Sequence, residues 1–419
     1  MIIEIVFLGG AGEIGRSAIM VKADGTRILL DYGVALNDVP EFPLHVAPRD
    51  VDGVIVTHAH LDHSGAIPIL YAGRGVVKTY TTSLTFETMR ILLEDFIKLS
   101  GYYLPFEYSQ IDDMAENYSE VFYSEVFRIG SVEVEFRRSG HIPGGFQVFI
   151  NADKTLVYTS DFSAVNSRLL KGADTNLYDV DAVIVESTYA CENHPPRRML
   201  EAEFVKSVNE VVGDGGIVLI PAFSVGRSQE ILCILTEYGV NYPIYVDGMA
   251  VRVLDKYLES REFIDGYALL EKASRKALIV NGSMRRKILK NPCIIISPAG
   301  MLKGGPSLKY AWRLADNRKA AIFLVSFQIP GTPGARLLSE KRIERGGVNR
   351  SVTARVEQYR FSSHSDMDQL HSLLKSLKSE AKVFTVHGEN GNCSILADWA
   401  RRELNLQAKA PDIGVSYII

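Results

Sequence analysis

The 419-residue sequence predicts an α/β protein that contains two different kinds of sheet. Up to about residue 188, short apolar strands dominate, and the run SVEVEF at residues 131–136 alternates strictly. From about residue 197, predicted helices and strands follow one another in turn, which is typical of a parallel sheet covered by helices. After about residue 352, the pattern of predicted elements again resembles that of the first part. We therefore predict a strand-rich domain that is interrupted by an inserted one.

Composition places the chain among ordinary globular proteins, since 47% of its residues are hydrophobic and 23% are charged. The four cysteines form no CxxC pair, so neither a disulfide framework nor a thiolate metal site is predicted. No apolar run approaches the ~18 residues of a membrane span, and no signal-peptide pattern is present. We expect a cytoplasmic protein with no membrane partner.

The net charge of −4 predicts a weak nonspecific affinity for nucleic acid. A polyanion would have to be held by local positive charge. The candidates are Arg197-Arg198, Arg285-Arg286-Lys287 and Lys341-Arg342, although such short runs are more often simply solvated surface.

The first predicted strand is followed by GGAGEIG at residues 9–15, which contains the pattern Gly10-x-Gly12-x-x-Gly15. Together with Asp31, this pattern resembles a dinucleotide-binding fingerprint. That fingerprint requires a helix between its two strands, whereas residues 18–31 predict two strands joined by an Asp-Gly turn. The nucleotide interpretation is therefore disfavoured, and we expect the glycines to form a tight turn beside another kind of site.

The strongest chemical signal is THAHLDH at residues 57–63, directly after the apolar run GVIV. His58 and His60 are two residues apart and can point to one side of an extended chain. Asp62 and His63 follow where a helix is predicted to begin. Three imidazoles and a carboxylate so close together predict a divalent-metal site.

The pattern HAHLDH resembles the HxHxDH signature of the metallo-β-lactamase superfamily. The resemblance extends to Asp31 in LLDYG, to His141 in GHIPGG and to Asp161 in TSDFS. Ser160 stands where many relatives have glycine. Asp31 is thereby assigned to a metal site and not to a ribose.

A long insert then separates these motifs from the last histidine, and its landmarks resemble those of the β-CASP nucleases. Glu186 in ESTY matches their motif A, His364 in FSSHSD matches motif B, and His387 in VHGE matches motif C. The segments PAFSVGRSQE, SPAGMLKGGP and GTPG also resemble that insert. The chain looks most like short archaeal relatives of RNase J and of the endonuclease subunit of the cleavage and polyadenylation specificity factor.

The resemblance implies an α/β fold in which a metallo-β-lactamase αββα sandwich carries an inserted β-CASP domain with a parallel sheet. We predict that residues 1–188 form the first part of the metallo-β-lactamase domain, residues 189–351 the β-CASP domain, and residues 352–419 the C-terminal completion of the first domain. The site is expected in the cleft between the two domains.

The resemblance also implies two Zn²⁺ ions and a role for each motif residue. The implied metal ligands are His58, His60 and His141 for one ion, Asp62, His63 and His387 for the other, and Asp161 between them. Asp62, His364 and Glu186 are the implied catalytic residues, with His364 as general acid if Glu186 orients it. Asp31 would fix the tautomer of a ligand histidine.

Phosphate contacts are predicted on the glycine-containing loops of the insert, where backbone N–H groups can approach an anion. Loops between strands and helices are glycine-rich for purely geometric reasons about as often. The predicted phosphate-binding or RNA-binding residues are Arg227, Gly300 and Gly331 on these loops, together with Ser362, Ser363 and Ser365, which flank His364.

These features predict a zinc-dependent ribonuclease acting on single-stranded RNA. The resemblance implies RNA over DNA, because the RNA-processing branch of the family has a histidine in motif C, as this chain does, whereas the DNA-repair branch typically does not. Two alternatives are a metallo-hydrolase for a small substrate and a non-catalytic subunit of a processing complex. The insert argues against the first alternative, and the full set of motif residues argues against the second. The cutting mode, endonuclease or 5′-to-3′ exonuclease, stays open, and a homodimer is possible by analogy alone.

Overall fold

The computed structural model describes residues 2–37, 39–73, 77–100, 103–389 and 391–419. The chain folds into two compact units. The first unit comprises Met1–Asn166, Lys171–Asn193 and Ser363–Ile419, and the second comprises Ser167–Leu170 and His194–Ser362. The domain boundaries given above, after residues 188 and 351, stay predictions.

The first unit begins with thirteen strands and three helices. The strands are β1 (Ile3–Gly9), β2 (Ala18–Ala23), β3 (Thr26–Leu30), β4 (Ala35–Leu36), β5 (Pro40–Glu41), β6 (Gly53–Ile55), β7 (Thr79–Thr81), β8 (Tyr118–Glu120), β9 (Val126–Ile129), β10 (Val132–Arg138), β11 (Phe146–Asn151), β12 (Thr155–Tyr158) and β13 (Ala182–Glu186). The helices are α1 (Leu61–Ser64), α2 (Ser83–Leu99) and α3 (Tyr108–Glu116). Strands β2 and β3 pair antiparallel, and Ala23 lies opposite Thr26 across the Asp-Gly turn. The predicted hairpin is confirmed, and it occupies the place where a dinucleotide fold would need a helix.

The second unit alternates helices with strands. Its elements are α4 (Arg197–Gly213), β14 (Ile217–Pro221), α5 (Arg227–Glu237), β15 (Ile244–Asp247), α6 (Met249–Glu259), α7 (Tyr267–Lys276), β16 (Ala277–Val280), β17 (Cys293–Ser297), α8 (Gly305–Leu314), β18 (Ala321–Leu324), α9 (Pro333–Glu340), β19 (Arg342–Arg345), β20 (Val348–Ser351) and β21 (Arg355–Gln358). Two short 3₁₀ turns, Met284–Arg286 and Ile288–Lys290, lie between β16 and β17. Six strands form a parallel sheet in the order β16-β15-β17-β14-β18-β21.

The chain then returns to the first unit with α10 (Met367–Lys375), β22 (Lys382–Val386), α11 (Asn392–Leu404), β23 (Gln407–Lys409) and β24 (Ser416–Ile418). This unit contains two seven-stranded sheets, ordered β24-β1-β2-β3-β6-β7-β8 and β23-β22-β13-β12-β11-β10-β9. Both sheets contribute to one core, for example through Ile5 and Phe136. On the other face of the second sheet, Val183 belongs to a core with Leu373 of α10 and Leu396 of α11.

The predicted fold class is confirmed, because the structure combines this two-sheet unit with a helix-covered parallel sheet. In the described part of the chain, no helix combines the length and the apolar character needed to cross a membrane.

Candidate metal centre

Five of the predicted site residues lie at the carboxyl ends of parallel strands. In the second sheet of the first unit, β12, β13 and β22 are parallel neighbours, and Asp161, Glu186 and His387 lie at or just beyond their ends. In the first sheet, β3 and β6 are parallel neighbours, and Asp31 and His58 follow them. Neighbouring parallel strands end at the same edge of a sheet, where α/β proteins place their ligand sites. Residues far apart in the sequence are brought together in this way.

The first cluster consists of His58, His60 and His141, whose ligand nitrogens lie within 4.8 Å of one another. His141 Nδ1 donates a hydrogen bond to the carbonyl oxygen of Ser363 at 2.9 Å. Its Nε2 lies 3.2 Å from His60 Nδ1. Burial and the nearby charge of His364 hold the pKa of His141 well below its ordinary value. The ring is therefore neutral, which is the form that binds a metal.

The second cluster consists of Asp62, His63, Asp161 and His387, and their ligand atoms also lie within 4.8 Å of one another. His63 Nε2 is 3.4 Å from Asp161 Oδ1, and His387 Nε2 is 3.4 Å from Asp62 Oδ2. The other oxygen of Asp161, Oδ2, lies 3.6 Å from His58 Nε2 in the first cluster. The Asp161 carboxylate therefore stands between the two clusters.

The charges of this centre fit a cation. Burial would raise the pKa of Asp161, but the charges of His387 and His63 hold it well below its ordinary value. The pKa of His63 is raised well above its ordinary value although burial opposes this, because Asp161 and Asp31 lie beside it. In the chain alone, protonated histidines thus supply the positive charge that the buried carboxylates need. Metal ions would supply the same charge.

Two buried atoms of the centre also fit a metal. Among the described residues, His58 Nε2 and Asp161 Oδ1 are buried without a hydrogen-bond partner. Buried polar atoms rarely lack a hydrogen-bond partner, so each exception requires an explanation. Imidazole nitrogens and carboxylate oxygens are ligands for a divalent transition metal. The residues present therefore fit the metal that the motif implies.

Asp31 lies behind the ligands and is fully buried. Its Oδ2 accepts hydrogen bonds from His63 Nδ1 at 2.7 Å, from Tyr158 Oη at 3.0 Å and from Thr57 Oγ1 at 2.9 Å. Its Oδ1 accepts from the backbone N–H of Thr57 at 2.7 Å. With Nδ1 donating to Asp31, His63 is held with its Nε2 facing Asp161, and in the neutral ring this nitrogen is free to bind a metal.

His364 and Glu186 form a pair beside the clusters. His364 Nδ1 donates to both carboxylate oxygens of Glu186, at 2.9 and 3.0 Å. Its Nε2 lies 4.0 Å from Asp161 Oδ2. Burial lowers the pKa of His364, but the charges of Glu186 and Asp161 outweigh this effect and raise the pKa to about 9. Because Asp161, Glu186, His364 and His387 also bring ligand atoms within 4.8 Å, the geometry permits His364 either as a proton donor or as a ligand.

Comparisons with known proteins assign this arrangement to a family. The chain matches the profile of the metallo-beta-lactamase superfamily over residues 11–192, the Beta-Casp domain over residues 228–337, and the Zn-dependent metallo-hydrolase RNA specificity domain over residues 350–411. It is 40% identical to RNase aCSPSF2 of Saccharolobus solfataricus, over 97% of this chain and 83% of that protein.

Two further relatives come from Methanocaldococcus jannaschii. The chain is 36% identical to Probable RNase MJ4, over 98% of this chain and 99% of that protein. It is 33% identical to the transcription termination factor FttA, over 98% of this chain and 70% of that protein. The chain belongs to the β-CASP ribonuclease family of the metallo-β-lactamase superfamily.

A solved structure shares the fold of this β-CASP protein. It is the crystal structure of a protein of unknown function from Enterococcus faecalis V583, with a TM-score of 0.65 and 14% sequence identity over the full length of both chains. At this identity the likeness concerns the fold alone.

Three residues of the centre have a left-handed backbone, namely Asp31, Ser160 and His387, with φ of 56°, 51° and 52°. Residues other than glycine rarely adopt this conformation, and it concentrates at functional sites. Glycine would adopt this conformation at position 160 without strain. Here the Ser160 hydroxyl is hydrogen-bonded to Thr57 Oγ1 at 2.6 Å.

The sequence analysis missed three hydroxyl groups of the centre. Those of Thr57 and Tyr158 contact Asp31, as described above. Thr188 Oγ1 lies 3.1 Å from His387 Nδ1 and 3.4 Å from His364 Nδ1. Thr57 and Thr188 stand next to or within the quoted motifs, so proximity to THAHLDH and ESTY was the available signal. Tyr158 directly precedes TSDFS but belongs to no quoted motif.

The predicted phosphate-binding residues lie in both units. In the second unit, buried Arg227 pairs with Glu230, which also pairs with Arg197. Burial raises the pKa of Glu230, but the charges of Arg197 and Arg227 lower it further than burial raises it. Arg197 also donates to the carbonyl oxygen of Ser362 at 3.2 Å. Both arginines are thus engaged in an internal ion-pair network.

The remaining candidates divide between loops and the metal centre. The Ser365 hydroxyl is buried and accepts from the backbone N–H of Ala164 at 3.1 Å. Ser363 offers its carbonyl to the first cluster, as described above. Gly300 and Gly331 lie on loops of the second unit, and Gly331 has a φ of 84°. The phosphate-binding roles of all six residues stay predictions.

Proposed function

We propose that the chain is a two-zinc ribonuclease that hydrolyses phosphodiester bonds of single-stranded RNA in RNA processing or decay, as an endonuclease, a 5′-to-3′ exonuclease or both. The observation that carries this proposal is the pair of adjoining ligand clusters with Asp161 between them. The relatives named RNase and the match to an RNA specificity domain over residues 350–411 support RNA as the substrate. A homodimer and a cytoplasmic location stay predictions.

Each cluster would hold one zinc ion, with imidazole and carboxylate ligands that suit this metal. The proposed ligands are His58, His60 and His141 for one ion and Asp62, His63 and His387 for the other, with Asp161 shared. When bound, the two metals supply Lewis acidity, which makes water a nucleophile near neutral pH and neutralises charge at the phosphate. Asp62 counts among the catalytic residues because it would lie beside the reacting phosphate.

The chain itself supplies the proton for the leaving oxygen. His364 would donate it from Nε2, because its Nδ1 is held by both oxygens of Glu186. The short bonds to Glu186 keep the ring in one orientation and favour its protonated form. Asp31 has a different role, because it orients His63 within the second cluster.

The first experiment uses one single-stranded RNA in three forms, namely 5′-triphosphate, 5′-monophosphate and circular. Each form is incubated with zinc-loaded protein and with the His60→Ala variant, and bound zinc is measured in parallel. We expect cleavage by the parent protein and loss of cleavage in the variant, since His60 belongs to the first cluster.

The pattern of products separates the modes. A cut circle establishes endonuclease activity, whereas shortening of the 5′-monophosphate form alone establishes a 5′-to-3′ exonuclease. If zinc is bound and none of the three RNAs is cleaved, the ribonuclease proposal fails. The small-substrate hydrolase and the non-catalytic subunit would then be the remaining interpretations.

A further inference from the structure

Positive charge is concentrated in one stretch of the second unit. Residues 272–351 contain 17 Lys and Arg but only 3 Asp and Glu, a net charge of +14. The rest of the chain contains 29 Lys and Arg and 47 Asp and Glu, a net charge of −18. The total of −4 therefore conceals two regions of opposite charge, and it does not describe the surface that a polyanion would meet.

Most of this stretch packs on one face of the parallel sheet. The 3₁₀ turns, α8, α9 and the β19–β20 hairpin share a single core, to which they contribute Ile288, Tyr310, Leu337 and Ile343. We call the cations of these elements, together with Lys303 before α8 and Lys341 after α9, the basic face. They are Arg285, Arg286, Lys287, Lys290, Lys303, Lys309, Arg313, Arg336, Lys341, Arg342, Arg345 and Arg350.

A buried carboxylate joins two elements of the basic face. Asp247, at the end of β15, is fully buried. It accepts two hydrogen bonds from Arg285, at 2.7 and 2.8 Å, and one from the hydroxyl of Tyr310 at 2.7 Å. Arg285 lies in the first 3₁₀ turn and Tyr310 lies in α8, so one carboxylate joins the two elements. The next residues, Arg286 and Lys287, lie on this anchored turn, and Lys287 is exposed.

Few acidic side chains oppose these cations. The same elements carry Glu340 and Glu344, and Asp316 follows α8. Asp316 pairs with Arg350, and Glu344 lies 3.3 Å from Arg336. With Asp247, which pairs with Arg285, four acidic groups face the twelve cations, so a positive excess of eight remains.

We propose that the basic face binds the phosphate backbone of single-stranded RNA and supplies nonspecific affinity that the overall charge conceals. This inference rests on the proposed ribonuclease function, because that function supplies a long polyanion as substrate. Lysines and arginines on a surface bind RNA by releasing counterions from its phosphates. An anionic membrane surface is another polyanion that clustered lysines and arginines attract, and the test below separates it from RNA.

The test measures RNA binding directly, without cleavage. Binding of a single-stranded RNA of about 30 nucleotides is followed by fluorescence anisotropy from about 50 to 200 mM salt. The zinc-loaded chain carries His364→Ala in every sample, so that the RNA survives. Arg286→Gln, Lys287→Gln and Lys290→Gln are combined in one variant, and Glu replaces Gln in a second. The matched control reverses three exposed cations of the first unit, Lys98→Glu, Lys154→Glu and Arg402→Glu.

Each lost phosphate contact lowers the salt slope by about 0.7 and affinity by about fivefold near 0.1 M salt. We expect the Gln triple variant to bind on the order of 100-fold more weakly, with a slope shallower by about 2. The Glu triple variant should bind more weakly still, and the control should match the parent. Melting temperatures of all variants check that they fold alike.

Two outcomes would overturn the proposal. One is equal RNA affinity in the Glu triple variant and the matched control. The other is a Glu triple variant that loses binding to phosphatidylserine vesicles while its RNA binding is unchanged, since the face would then serve a membrane. Neither readout requires cleavage, so a failed ribonuclease assay and a failed binding test are told apart.

Discussion

The metal centre of the first unit and the basic face of the second unit differ in the burial of their charged side chains. Asp31, Asp161 and Glu186 are at most 2% exposed, and their oxygens face specific partners. Lys287 and Arg342 are exposed and act with many similar neighbours. Buried charges interact strongly, and exposed ones are screened by salt. Single substitutions should therefore have large effects in the first region and small, additive effects in the second.

Removing the shared carboxylate should have the largest effect. Asp161→Asn keeps the shape of the side chain but deletes the charge between the two clusters. We expect the variant to lose at least one zinc ion per chain. Its RNA cleavage should fall by more than the ~10²–10⁴-fold that a general acid contributes. Metal content by mass spectrometry and cleavage rates check this.

Asp179→Asn provides the control for this substitution, because Asp179 is an exposed acid of the same unit. It should change neither metal content nor cleavage. An Asp161→Asn variant that keeps both ions and cleaves within about tenfold of the parent would contradict the two-metal arrangement.

Removing the proposed proton donor should have the next largest effect. His364→Ala should lower kcat by ~10²–10⁴-fold while bound zinc is unchanged. Glu186→Gln should cause a smaller loss, since the ring stays but its charged acceptor is gone. His371→Ala serves as control, because this histidine stacks on Trp399 at 3.5 Å. Loss of zinc in His364→Ala would instead make His364 a ligand, which its distances permit.

The difference between the two regions also explains how far the sequence could predict them. The metal centre combines short motifs with strand ends, so THAHLDH could be assigned from local sequence, and TSDFS and VHGE from their resemblance to family motifs. The hairpin at Asp24-Gly25 was predictable because turn chemistry is local. Tyr158 could not be found, because its contact with Asp31 spans 127 residues and depends on how the two sheets face each other.

The sequence analysis named two short parts of the basic face as candidates but could not predict the face as a whole, for a related reason. Short runs such as Arg285-Arg286-Lys287 appeared one at a time against an acidic total. Their grouping depends on the shared core that places α8, α9 and the hairpin on one side of the sheet. No motif marks Asp247, the buried carboxylate that joins Arg285 to Tyr310.

Asp31→Asn should have an intermediate effect, because Asp31 acts on the metal through His63. We expect zinc affinity to fall by ~10–100-fold, as for other groups that orient a ligand histidine. Tyr158→Phe retains the carboxylate and removes one donor to it, so its effect should be smaller. Competition titration with a zinc chelator measures both variants. Unchanged zinc affinity in Asp31→Asn would show that the charge of Asp31 is not needed to orient His63.

The smallest effect is expected for a single cation of the basic face. Lys287→Ala should weaken RNA binding by about fivefold near 0.1 M salt and lower the salt slope by about 0.7, with kcat at saturating RNA unchanged. Lys98→Ala in the first unit should have no such effect. Anisotropy titrations at several salt concentrations measure both. If Lys287→Ala alone abolished binding, the face would contain a specific site and its charges would not be additive. The contrast with the metal centre, where one residue decides the outcome, would then disappear.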